Sequence, residues 1–297
     1  MLRELRNMLG FAIAATDGGV GHATDFYFDD EAWVIRYLVV ETGRWLSGRK
    51  VLISPMAIGE PNWKLETFPT RLTREQVRNS PDIDTDKPVS RQHELEYSGF
   101  YGYPYYWGGS GLWGGQYFPG AMLTSTAYSA SGADYLAGQV ERERRSRDAR
   151  RDNDDPHLRS CKTVTGYHIS AVDGEIGHLQ GLLVDEESWA IRYLIVNTSN
   201  WWLGHLVPIA PSWIDDVSWH ERQITVDLTR RAIQESPPYD SAHVPDRPLE
   251  TLVHEHYGRH GYWQSERGSS PPVPIPAVDA NVALRKAGPG DEASRLP

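Results

Sequence analysis

Cysteine is almost absent from this chain of 297 residues: Cys161 is its one thiol. A single cysteine excludes an internal disulfide framework and any multi-cysteine metal centre. No window approaches the roughly 18–20 uninterrupted apolar residues of a membrane span, so no transmembrane segment is expected. Excess positive charge is lacking too, with 30 Lys+Arg against 40 Asp+Glu and a formal net charge of -10. Binding nucleic acid through bulk charge needs clustered Lys and Arg to neutralise phosphates, so no nucleic-acid partner is expected. The motifs of enzymatic chemistry are also missing: there is no P-loop, complete dinucleotide fingerprint, Gly-x-Ser-x-Gly or His-Glu-x-x-His. Gly108-Gly109-Ser110-Gly111 ends in Leu112 and fails as a nucleophile elbow. The expectation is a protein of a reducing cytoplasmic compartment, without catalytic activity, cofactor or bound metal. The apolar segment Met8–Ala15 is not read as a removable targeting peptide, because Glu4 interrupts the basic start and the segment recurs mid-chain.

What is present is a duplication. Gly10–Asp84 matches Gly166–Asp240 without a gap, at a constant offset of 156 residues. Roughly 29 of about 75 aligned positions are identical. Shared positions include Gly21-His22/Gly177-His178, Trp33/Trp189, Ile35-Arg36-Tyr37-Leu38/Ile191-Arg192-Tyr193-Leu194 and Leu72-Thr73-Arg74/Leu228-Thr229-Arg230. Two copies of a unit this long point to duplication of a whole small domain rather than to a solenoid.

Within each copy the pattern is mostly strand. Phe26–Phe28 and Val34–Val40 are rich in aromatic and β-branched residues around the polar turn Asp29-Asp30-Glu31-Ala32, which predicts a hairpin. Phe11–Ala15, Val51–Ser54 and Trp63–Phe68 read as further strands. Thr73 and Gln76 have the spacing of a capping box for a short helix ended before Pro81. Short strands with close turns and one terminal helix predict a small barrel.

The motif Gly-x-x-Ile/Val-Gly-His, then Asp-x-Glu-x-Trp-x-Ile-Arg-Tyr-Leu-x-Val, then Trp and an Ile-x-Pro step, resembles the PRC-barrel family. That family includes the cytoplasmic domain of the photosynthetic reaction-centre H subunit and the C-terminal domain of a ribosome maturation factor. The resemblance covers both repeats. It implies a mainly β chain of two tandem small PRC-type β-barrels, each followed by a short helix, which bind protein or ligand partners and carry no catalytic motif. Asp86-Lys87-Pro88…Tyr97 and Asp246-Arg247-Pro248…Tyr257 resemble the extension that follows such a barrel.

The expected organisation is therefore domain 1 with its extension over 1–97, a Gly/aromatic- and Arg-rich linker over 98–157, domain 2 over 158–264 and a Pro-rich tail over 265–297. The linker and tail are expected to be at least partly disordered. Two copies bearing the same patch are expected to pack as an intramolecular pseudo-dimer. Arg36 and Arg192 sit inside apolar strands, where each is expected to pair with a local carboxylate such as Glu31 or Glu187 or to bind a ligand. With Trp33, Trp189, Trp202 and Trp213 they form the candidate binding residues, since aromatic and arginine side chains are favoured at interface hot spots. Cys161 reads as a buried thiol, His22 and His178 as donors to turn carbonyls, the acidic turns as solvated, and His254/His256/His260 as solvated or capping rather than metal-binding. The function expected is that of a protein-interaction adaptor or scaffold at a membrane-associated assembly. The alternative is a small-molecule- or metal-responsive binding protein using the groove between the barrels.

Overall fold

Strands β3 (Gly18–Asp29) and β4 (Val34–Glu41) form the antiparallel hairpin that the aromatic and β-branched runs predict. Seven of the eight residues of β4 are buried, as in a strand covered on both faces. The computed structural model describes residues 1–83, 89, 91–107, 111–124, 157–198, 205–243 and 245–265. Strand is their predominant regular structure.

Around this hairpin lie β2 (Ala12–Ala15) and β5 (Lys50–Ile53), antiparallel to β3 and β4 respectively, and β6 (Thr67–Pro69), parallel to β2. The second repeat builds β8 (His168–Ala171), β9 (Gly174–Asp185), β10 (Ile191–Asn197), β11 (Leu206–Ile209), β12 (Ile214–Ser218) and β13 (Gln223–Val226). The helix Arg74–Arg78 carries the expected capping box from Thr73 and Gln76. The predicted strand Trp63–Phe68 is mostly a turn, with Glu66 at φ 49°, and pairing begins only at Thr67.

The two sheets run β5-β4-β3-β2-β6 and β11-β10-β9-β8-β13-β12. Among the described residues neither closes into the barrel expected from the sequence. Pro55 starts a 3-10 turn one residue after β5, and a proline has no N–H to donate to a ladder. Beyond that turn, among the described residues of the first repeat, the far side of the sheet is met through the isolated bridges Ile58–Thr70 and Asn62–Thr67.

Two further strands connect the repeats. β1 (Leu2–Glu4), preceding the first repeat, pairs antiparallel with β9 of the second, Leu2 opposite Asp185. β7 (Leu158–Ser160), preceding the second, pairs with β3 of the first, Leu158 opposite Asp29. The offset of 156 relates these two pairings, so the repeats exchange their leading strands reciprocally. Side chains repeat the exchange. Arg3 bonds Glu186 at 2.9 Å and stacks on Trp63, while Arg159 bonds Asp30 at 2.7 Å and stacks on Trp219. One continuous hydrophobic core spans both repeats. The identity of Gly21 and Gly177 follows from close approach: a Cβ at either position would collide with the backbone carbonyl of Glu41 or Asn197.

The duplication continues past the barrel-like units, at the same offset. Helices Arg91–Tyr101 and Arg247–His256 carry Glu94 and Glu250 at equivalent positions, and Gly102 and Gly258 follow them at φ 66° and 62°. This differs from the alignment of Asp86…Tyr97 with Asp246…Tyr257, which is shifted by four residues; Asp86–Pro88 lie outside the described residues. The described part of 98–157 is no spacer, because Tyr103, Tyr105, Tyr106, Trp113 and Met122 are buried. Residues 125–156 and 266–297, with the Arg-rich run and the Pro-rich tail, lie outside the described residues. No helix among the described residues is long and apolar enough to cross a membrane.

Candidate functional site

At the end of β3 and seven residues on, in β4, Asp29 and Arg36 face one another across the hairpin. Arg36 Nη2 lies 3.1 Å from Asp29 Oδ2, and Nη1 donates to the Leu112 carbonyl at 2.7 Å. The guanidinium sits 3.8 Å from the Tyr106 ring centroid and 4.7 Å from that of Trp113, and is only 2% exposed. Its carboxylate partner is Asp29 and not Glu31, because Glu31 stands on the exposed turn. Burial works against charge on Asp29. The Arg36 guanidinium and the amides of Ala32 and Glu31 outweigh that, and hold its carboxyl below the usual aspartate value.

The second repeat repeats the arrangement more loosely. Arg192 Nη2 is 3.4 Å from Asp185 Oδ2 and donates to Ser188 Oγ at 3.2 Å, and the guanidinium lies 3.9 Å over Tyr262. Glu187, the partner expected from sequence, is exposed on the turn.

Next to each arginine is a buried carboxyl group that the sequence reading did not single out. Glu94 accepts from Tyr37 at 3.3 Å and from Tyr106, and pairs with His157 Nε2 at 2.6 Å. Glu250 accepts from Tyr193 at 3.2 Å and Tyr262 at 2.7 Å, with Arg247 at 3.2 Å. Burial raises the Glu250 carboxyl above its ordinary value, although hydrogen bonds from both tyrosines and nearby Arg247 oppose it. These groups satisfy one another inside the protein and fix the helix after each repeat to its central strand. The signal for them was identity at the same offset beyond Asp84: Glu94/Glu250, Tyr106/Tyr262 and Trp107/Trp263.

Between the repeats lies an open cleft of about 1090 Å³. Trp33, Asp30 and Leu112 of the first repeat form one wall. The other carries Ala190–Arg192, Pro211-Ser212, Ile214–Val217, Trp219 and Tyr262 of the second. His157 and Arg159 reach the cleft from the exchanged strand β7, and His254 and His260 from the second extension. The cleft thus has aromatic walls with acidic and cationic groups among them.

Of the candidate residues, the structure brings Trp33 and Arg192 together in this cleft. Arg36 is sealed beneath Tyr106 and Trp113, and Trp189 packs on Phe68 with ring centroids 5.8 Å apart. Trp213 is 2% exposed and packs between His254 and Tyr257, so it is a core residue rather than a surface contact. Trp202 lies outside the described residues. Sequence reasoning missed Asp29, Asp185, Trp113 and Trp219.

The histidine cluster divides between separate tasks. His254 Nε2 meets the Tyr193 hydroxyl at 3.1 Å inside the core, His256 Nε2 meets the Ala232 carbonyl at 2.7 Å, and His260 lines the cleft. No group of three metal-ligating side chains occurs among the described residues. His22 Nδ1 lies 3.2 Å from the Gly10 carbonyl, the contact expected of it. Cys161 is buried, and burial pushes its thiol well above the ordinary range, which leaves it a poor nucleophile.

No protein-family model matches this chain, and no curated protein matches it significantly.

Proposed function

We propose that the chain is a non-catalytic adaptor or scaffold of tandem PRC-barrel type, which receives an extended apolar or aromatic segment of a protein partner in the cleft between its repeats. The observation that supports this is what fills the equivalent groove on the first repeat. There the indole of Trp113, fully buried, donates to the Ser188 carbonyl of the other repeat at 2.8 Å. The Leu112 carbonyl meanwhile accepts from Arg36. A groove of this shape therefore accommodates a chain segment through one inserted ring and backbone hydrogen bonds, the mode common to peptide recognition.

A second reading, a small-molecule sensor using the same cleft, draws on Arg159, Arg192 and His260, which would suit an anionic ligand. Photo-crosslinking from benzoylphenylalanine at Ser212, on the cleft rim, in cells that make the protein separates the two. The adaptor reading expects an adduct that maps to an apolar or aromatic segment of a partner and is absent when the probe stands at exposed Leu252. No protein adduct, together with a stoichiometric small molecule retained in native mass spectrometry, overturns it.

A further inference from the structure

The two repeats build one strand differently, and the difference borders the cleft. The offset of 156 maps Ser188, Arg36, Pro55 and Tyr106 onto Ala32, Arg192, Pro211 and Tyr262, all four of which line the cleft. The cleft is therefore the pseudo-twofold counterpart of the groove that Trp113 and the helix Pro119–Thr124 fill on the first repeat. In the second repeat β12 follows the turn Pro211–Trp213, ends its sheet, and lays Ile214–Val217 along the cleft. The same offset matches β12 to Ile58–Asn62, which forms two isolated bridges and no strand. Pro61 stands there in the place of Val217, and a proline has no N–H to offer.

β12 pairs with β13 on one side, and among the described residues no further backbone bond reaches Asp215–Val217. Alternate N–H and C=O groups of such an edge are open to another strand. Its side chains select which strand. Asp215 and Asp216 are exposed, as is Glu31 on the opposite wall, and among the described residues these carboxylates have no cationic partner. The arginines of the cleft are already engaged, Arg159 by Asp30 and Trp219, Arg192 by Asp185 and Tyr262. A second copy of the chain, edge to edge, would set aspartate against aspartate, a pairing that sheets resist.

We propose that β12 takes an extended, basic segment of a partner protein as an added strand, with Lys or Arg side chains set against Asp215, Asp216 and Glu31. This rests on the reading of the cleft as a peptide site and adds the mode of docking and the charge of the segment. Main-chain bonds supply affinity in this mode, and side chains supply specificity.

The probe is a capped, fluorescein-labelled heptapeptide, Lys-Val-Lys-Trp-Lys-Val-Lys, titrated against the full-length protein at physiological ionic strength. It should bind, and binding should weaken about tenfold or more when Glu replaces Lys or when the protein carries Asp215→Asn with Asp216→Asn. N-methylation of one alternate set of peptide amides, but not of the other, should weaken it as much, the period-two signature of strand addition. Absence of binding, or of either the charge or the N-methyl dependence, overturns the proposal. If the peptide fails while benzoylphenylalanine at Ser212 captures a partner's apolar segment, strand addition is excluded and the peptide site stands. If both fail, the peptide-site reading falls with it.

Discussion

Trp33 and Trp189 hold the same left-handed backbone conformation, at φ 54° and 59°, and exchange hydrogen bonds across the junction of the repeats. Ile191 N donates to the Trp33 carbonyl at 2.7 Å, and Ile35 N donates to the Trp189 carbonyl at 2.8 Å. Between them Val34 and Ala190 form a bridge. A bulky residue at positive φ is costly, on the order of 1–2 kcal/mol, and the structure carries that cost twice at its pseudo-symmetry axis. The rings repay it through burial, with Trp33 against Phe28 and Trp189 against Phe68.

That conflict between ring and backbone gives an unusual ordering of variants. Both Trp33→Ala and Trp33→Gly lose the ring, but only alanine keeps the strained backbone. Trp33→Gly should therefore be more stable than Trp33→Ala by about 1 kcal/mol, the reverse of the order in an ordinary strand. Urea denaturation measures the difference. An alanine variant as stable as the glycine one would show that the conformation is not strained.

Arg36 and Arg192 share a sequence context but not a setting. Arg36 has Asp29, the Leu112 carbonyl and two rings around it, sealed from water, whereas Arg192 faces the cleft. Removing one member of a buried pair leaves the other uncompensated, so Arg36→Ala should cost about 3–5 kcal/mol. Arg36→Lys should recover little, since an ammonium cannot serve Asp29 and Leu112 in the same fork. Arg192→Ala should cost markedly less in a parallel denaturation series. Equal losses at the two positions would mean that the Leu112–Trp113 segment does not seal the first site.

Much of this was legible in the sequence. The gapless offset and the strand-like runs revealed the duplication, the central hairpin and the capped helix. Asp29 was visible as an identity with Asp185, yet it passed for a turn residue because it adjoins Asp30 and Glu31; only the end of β3 shows that its carboxyl turns inward. Strand exchange was invisible for a physical reason. A three-residue strand such as Leu2–Glu4 has the same side-chain alternation whether it pairs within its own repeat or with the other. Trp113 was hidden in a glycine- and tyrosine-rich stretch, where composition suggests a linker and only tertiary packing shows a buried ring.

Burial of His254 makes stability depend on pH. Burial lowers its pKa from the ordinary 6.5, though backbone contacts at His260 and Arg259 work the other way. Well above pH 6.5 the ring is neutral whether folded or unfolded. Below it the unfolded ring takes a proton that the folded ring resists, so stability falls as the pH drops from about 7 to 5. Glu250, whose carboxyl is raised, acts oppositely over a window upward from its ordinary 4.5, because its unfolded form ionises first as the pH rises. His254→Gln retains a polar atom for the Tyr193 hydroxyl but cannot titrate. As the pH drops its stability should fall less than the parent's, or rise, in denaturation curves. Parallel curves would show that His254 does not supply the dependence.

The exchanged strands carry the last expectation. β1 contributes the outer pairing of Leu183–Asp185, and Arg3 adds its bond to Glu186 and its stack on Trp63. Deleting Leu2–Glu4 should therefore damage the second repeat's sheet, although the deletion lies in front of the first. Amide exchange should quicken at Leu183–Asp185, while Tyr27–Asp29, still covered by β7, should keep their protection. A melting temperature lowered by several degrees should accompany this, at about 2–4 °C per kcal/mol for a chain of this size. If exchange quickened instead around Tyr27–Asp29, each leading strand would be pairing with its own repeat. The reciprocal exchange, and with it the pseudo-symmetric relation between the filled groove and the open cleft, would then be wrong.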